Sequence, residues 1–199
     1  MRPVAAKYPD DADVQALFAE ALMLLSRYNY WEEDGSPNAI GEEIVTTLER
    51  SMEKQPDHPA TNHFYIHTVE MAHPERGEAA ADRMRDLVPG IGHLQHMPSH
   101  VYLQVGRYAD ATIANEKAIE ADRKYLEAHG SSGMYRISYM PHNAMYMTFS
   151  AAMEGNAAKT MAAADRTREL ILDEPLRQPG YGSLTQGWTL RYYALVRFE

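Results

Sequence analysis

The sequence predicts an all-α protein built as an array of helical hairpins, about nine helices in all. Apolar residues recur at helical spacing almost throughout, and strand signals are nearly absent. The helices are short, and Gly or Pro turns close them in pairs. In addition, the segments HFYIH and HMPSH carry two histidine pairs, and the same 33 residues separate His63 from His96 and His67 from His100. That offset is close to the period of a helix-turn-helix repeat.

Val14, Leu17, Phe18, Ala21, Leu22 and Leu25 mark the apolar face of a first helix. The polar stretch YWEEDGSPN then breaks it, and its Glu32, Glu33 and Asp34 read as a solvated turn. Pro37 opens a second helix with Ile40, Ile44, Val45, Leu48 and Met52 on one face, ending at QPDHP. A third runs from Pro59 to about Met71. After the turn His73–Pro74, a fourth continues to Leu87, where VPG stops it. The fifth covers Met97 to Val105, and Gly106 ends it. The sixth carries Ala111, Ala114, Ala118 and Ile119 and ends near His129. A seventh is expected to begin at Pro141 and stop at Gly155, and an Ala-rich eighth to reach Leu172. DEPLRQPGYGS reads as a loop, and Leu184 to Phe198 as a ninth helix.

The length of 199 residues suits one domain over 1–199, with a 45% hydrophobic fraction ordinary for a folded chain. The net charge of −9, without a Lys/Arg cluster, argues against nucleic acid as a partner. With no cysteine there is no disulfide framework, thiolate site or thiol nucleophile. The first residues lack the apolar stretch of a signal peptide, and no apolar run reaches the roughly 20 residues that span a bilayer. A cytoplasmic location without membrane contact is expected. The chain stops inside an apolar helical pattern, TLRYYALVRFE, whereas solenoids close with a polar cap. Either the chain is a piece of a longer repeat protein, or its last helix packs against a partner, self-association included.

In YLQVGRYADATIANEKAIEAD, the residues Gly106, Tyr108, Ala111, Ala118 and Asp122 resemble the signature of the tetratricopeptide repeat. AAMEGNAAKTMAAADRT, with Gly155, is similar to a second copy, and TTLERSMEKQPDHP, with Pro56, to the end of another. The likeness covers most of residues 12–172. The longer motifs HPATNHFYIHTVE and HLQHMPSHVYLQVGRYADA also resemble those of a bacterial family of tetratricopeptide-repeat proteins, which brings no function with it. The resemblance implies a right-handed α-α superhelix whose first helices line a concave groove. It also implies that small residues such as Gly106 and Ala111 mark close helix crossings, where a larger side chain would overpack.

On such first helices His63, His67 and Glu70 form one stripe, and His93, His96 and His100 the next. Imidazole with an occasional carboxylate is a common ligand set for zinc, copper, nickel or iron. The candidate metal ligands are therefore His63, His67, Glu70, His96 and His100. Asn62, His93, Tyr102, His142 and Asn143 are candidate groove residues. Pro98 suits a first helical turn, which would place His96 at the start of the fifth helix and His93 outside it. The competing reading is that these histidines only hydrogen-bond to Asn62, Tyr65, Tyr102 or Asn143. The tyrosines, Tyr146 among them, read as inter-helix packing, and His58, His73 and His129 as loop residues.

Two functions follow. One is a binding module that holds a protein or peptide in the groove, although no Lys/Arg clamp for an acidic terminus is evident. The other is a metal-dependent enzyme of hydrolase or oxygenase type, acting on a small molecule at an open metal position. No HExxH, phosphate loop or GxSxG supports another chemistry.

Overall fold

The computed structural model describes residues 1–130 and 134–172, together with helical positions 194 and 197. Most of the expected 173–183 loop and ninth helix lies outside these residues. The described residues are all-helical without a strand, and one isolated bridge joins Trp31 to Pro37. None of their helices is long and apolar enough to cross a membrane. The chain gathers into two compact units, Met1–Val88 and Pro89–Glu199.

The first unit contains α1 (Arg2–Lys7), α2 (Ala12–Ser26), α3 (Ala39–Lys54), α4 (Pro59–Val69), a 3-10 turn (Pro74–Gly77) and α5 (Glu78–Leu87). Asp11 caps α2 by accepting from Val14 N–H, and Asn38 caps α3 by accepting from Ile40 and Gly41. Phe18, Leu22, Ile44, Leu48, Ile66, Val69 and Met84 form the core. The sequence pattern misplaced part of the α2 face. Leu17 and Leu25 are exposed, and the buried stripe instead uses the small residues Ala12, Ala16 and Ala19. Small side chains carry little hydropathy signal, although they permit the closest packing. The α1 helix was not expected from sequence. The Gln15 amide holds it by donating to the carbonyls of Ala5 (3.0 Å) and Tyr8 (2.9 Å). Gly41 is required by space, because a Cβ there would lie 2.0 Å from the Tyr30 carbonyl oxygen.

Two residues read as loop histidines are anchors in this unit. His58 is the N-cap of α4: its Nδ1 accepts from Thr61 N–H, and its Nε2 lies 3.1 Å from Asp13. His73 Nε2 donates to the Gly35 carbonyl at 2.7 Å, and its ring packs edge-on against Trp31. Trp31 in turn donates to the Thr68 carbonyl at 2.7 Å. These bonds pin the acidic turn, whose Glu32, Glu33 and Asp34 remain exposed as expected.

The second unit contains α6 (Gly92–His96), α7 (Pro98–Gln104), α8 (Tyr108–His129), α9 (Met134–Glu154) and α10 (Ala157–Leu172). Two helix starts differ from the sequence reading. Helical backbone begins at Gly92 and passes through Met97 (φ −50°, ψ −40°) into Pro98, so His93 lies inside a helix. Proline forfeits one backbone hydrogen bond there without stopping the chain's helical course. Likewise Pro141 sits inside α9, which begins at Met134.

Gly106 and Gly155 both adopt φ +82°, and each closes its hairpin in the same way. Arg107 N–H donates to the Tyr102 carbonyl and Asn156 N–H to that of Ala151, both at 2.8 Å. The expected crowding at Gly106 is absent, because no atom lies within 4 Å of a Cβ built there. Glycine is needed for the left-handed turn instead. Ala111 is fully buried, as expected. The close approach falls at Gly92, whose Cβ would meet Asp122 Oδ1 at 2.0 Å and the Ala118 carbonyl oxygen at 2.8 Å. Asp122 accepts from the Tyr135 hydroxyl (2.7 Å) and the Asn143 amide (2.9 Å), while Tyr135 accepts from His93 N–H (3.2 Å). This network joins α6, α8 and α9. Burial raises the Asp122 pKa, and the two donated hydrogen bonds oppose that rise.

Candidate metal centre

The second unit builds its site where the α6–α7 segment meets α8 and α9. His96 ends α6, and His100 follows one turn later on α7. His142 comes from α9, one residue after Pro141. One ligand atom from each of the three lies within 4.8 Å of the others. His96 Nε2 is 2.8 Å from His100 Nε2, which is 3.4 Å from His142 Nε2. The Tyr146 ring packs on all three imidazoles, with centroid distances of 4.5–4.7 Å.

An outer hydrogen bond decides which nitrogen His96 presents. Asn115 on α8 donates its amide to the Ala111 carbonyl at 2.8 Å, which turns its Oδ1 toward His96 Nδ1, also at 2.8 Å. His96 therefore carries its proton on Nδ1 and presents a bare Nε2 lone pair to the cluster. Ser99 Oγ, 3.1 Å from the same Nδ1, is a second partner. His96 is fully buried. Burial first, and then the neighbouring His100 and His142, hold its pKa well below the usual histidine value. It therefore stays neutral, as a metal ligand must.

The geometry suits an ion with nitrogen ligands. Metal–imidazole bonds of about 2.0–2.1 Å place tetrahedral nitrogen ligands about 3.3 Å apart. The 3.4 Å pair already fits this, and the 2.8 Å pair needs a shift of a few tenths of an ångström. Three protein ligands leave a position open.

The remaining candidate residues each have local partners. His63, His67 and Glu70 belong to the first unit. There His67 Nδ1 pairs with Glu70 Oε1 at 2.7 Å, and the His63 ring stacks on Phe64. Asn62 is a tether, donating to the carbonyls of Pro56 and His58 and accepting from Arg83. Tyr102 is fully buried, with the Arg107 guanidinium over its ring at 4.2 Å. Asn143 is buried in the Asp122 network. His93 is half-buried against Tyr139.

Sequence reasoning missed Asn115 and the role of Tyr146. Tyr146 follows His142 by four residues, the spacing that drew attention to the histidine pairs, so that signal was available. Asn115 gives no comparable sign, because its partner lies on another helix. Searches against protein-family models, curated proteins and solved structures return no match.

Proposed function

We propose that the protein is a helical-hairpin binding module, tetratricopeptide-like in arrangement, that holds a divalent transition-metal ion through His96, His100 and His142. The observation that carries this reading is the convergence of three imidazole Nε2 atoms, one of them fixed as a bare lone pair by Asn115. An all-nitrogen set favours zinc, copper or nickel over magnesium or calcium. The fourth position is open to water or to a small molecule with a donor atom. At such a position a bound ion lowers the pKa of water, which supports hydrolytic chemistry as the second reading.

The test is metal content and calorimetric titration of tag-free protein with zinc, copper and nickel. One ion per chain is expected, lost in a His96→Ala, His100→Ala, His142→Ala triple variant. Stoichiometric uptake that survives the triple variant would place the ion elsewhere. No uptake by the wild type would leave a polar histidine cluster.

A further inference from the structure

We infer that Tyr146 and Asn115 are positioning residues of this centre, and that metal entry reverses the hydrogen bond between Tyr146 and His100. This rests on the metal reading above. Asn115 fixes the His96 proton on Nδ1, so His96 Nε2 can only accept. The 2.8 Å contact between the two Nε2 atoms is then a hydrogen bond donated by His100 Nε2–H. With one proton on the ring, His100 Nδ1 is bare, and it accepts from the Tyr146 hydroxyl at 3.1 Å. In the metal-free protein the chain of donors therefore runs from Tyr146 through His100 and His96 to Asn115.

An ion bound by both Nε2 atoms is incompatible with the proton on His100 Nε2. That proton leaves Nε2, and one is taken up on Nδ1. The ring stays neutral, and no net proton is released. His100 Nδ1–H then donates to the Tyr146 oxygen. A hydroxyl serves in both states, because it can donate or accept by rotating its O–H bond. No carboxamide or carboxylate at position 146 could do so with one atom. Asn115 differs from Tyr146 in this respect. Its acceptor role is the same with and without metal, so it is the fixed end of the chain and Tyr146 the reversible one.

Nitrogen-15 NMR of the imidazole rings tests this with zinc as the probe. In metal-free protein, His96 should show a protonated Nδ1 and His100 a protonated Nε2. After zinc loading, both should be protonated at Nδ1 and coordinated through Nε2. Tyr146→Phe keeps the ring packing and removes the hydroxyl, and zinc affinity should fall by about 10–100-fold with an unchanged helical spectrum. Asn115→Asp keeps an acceptor and should retain binding, whereas Asn115→Leu should lose about as much as Tyr146→Phe. Zinc binding through His100 Nδ1 would overturn this inference alone, as would wild-type affinity and His100 signals in Tyr146→Phe. No zinc uptake by the wild type would overturn the metal reading and this inference with it.

Discussion

The two histidine pairs share one spacing and differ in the hydrogen bonds described for them. His67 makes its hydrogen bond to Glu70, one turn away on its own chain segment, and His63 lies against Phe64, its neighbour in sequence. His96 bonds instead to Asn115, 19 residues on and in another helix, and meets His142 from a third. A four-residue spacing places two rings on one face, but it does not choose which nitrogen faces outward. That choice is made by partners that arrive through tertiary packing, as Asn115 does for His96.

The largest test of this contrast is ligand loss. His96→Ala, His100→Ala and His142→Ala should each weaken zinc binding by about 100-fold or more, because a three-ligand site cannot spare one. His129→Ala, at the exposed end of α8, should change it by less than about threefold. Titration calorimetry reads both, and an equal loss at His129 would mean that the effect is not one of ligand loss.

Packing gives the next comparison. Gly41→Ala and Gly92→Ala should each destabilise by about 1–3 kcal/mol or more, since both create contacts near 2.0 Å. Only Gly92→Ala should also weaken zinc binding, because α6 carries His96. Gly106→Ala should cost about 1–2 kcal/mol through its left-handed backbone and leave zinc binding intact. Thermal melts paired with zinc titrations separate the three variants.

Acidification should act through His96. Its folded pKa lies below the unfolded value near 6.5, so the unfolded chain takes up the proton first. Its contribution to stability is complete above about pH 6.5 and is lost as pH falls toward the lowered value. Metal-free protein should therefore melt at a lower temperature at about pH 5.5 than at about pH 7.5, and His96→Gln should flatten that dependence. An unaltered slope in the variant would assign the pH effect to another group.

The smallest expected effect is at His58. His58→Ala removes the cap of α4 and should cost about 1 kcal/mol without touching zinc affinity. His129→Ala is the neutral reference, as that exposed ring at the end of α8 meets Tyr125, one turn back on its own helix, through a carbonyl hydrogen bond and a ring stack. Equal melting of these two variants would remove the capping role.

Helix content was readable because it is local. Asn38 before an apolar stripe and Gly106 after one both announce helix ends. Prolines misled, since both Pro98 and Pro141 have helical turns before them that the spacing rules assign to loops. At the site, the histidines stood out by repetition. Their partners did not, because Asn115 and Asp122 become informative only once α8 lies beside α6. His73 and Trp31 were hidden for the same reason, as the carbonyls they bond to are 38 and 37 residues away.

The Gly92–Asp122–Tyr135–Asn143 network also limits how this sequence can drift. Removing the Asp122 carboxylate leaves the Tyr135 hydroxyl and the Asn143 amide to find new acceptors inside the unit. Replacing either donor leaves part of a buried carboxylate unsolvated, and any side chain at position 92 collides with that same carboxylate. Each single substitution is therefore damaging in the background of the other three, while a joint replacement by apolar residues need not be. These four positions should behave as one heritable character, changing together or not at all.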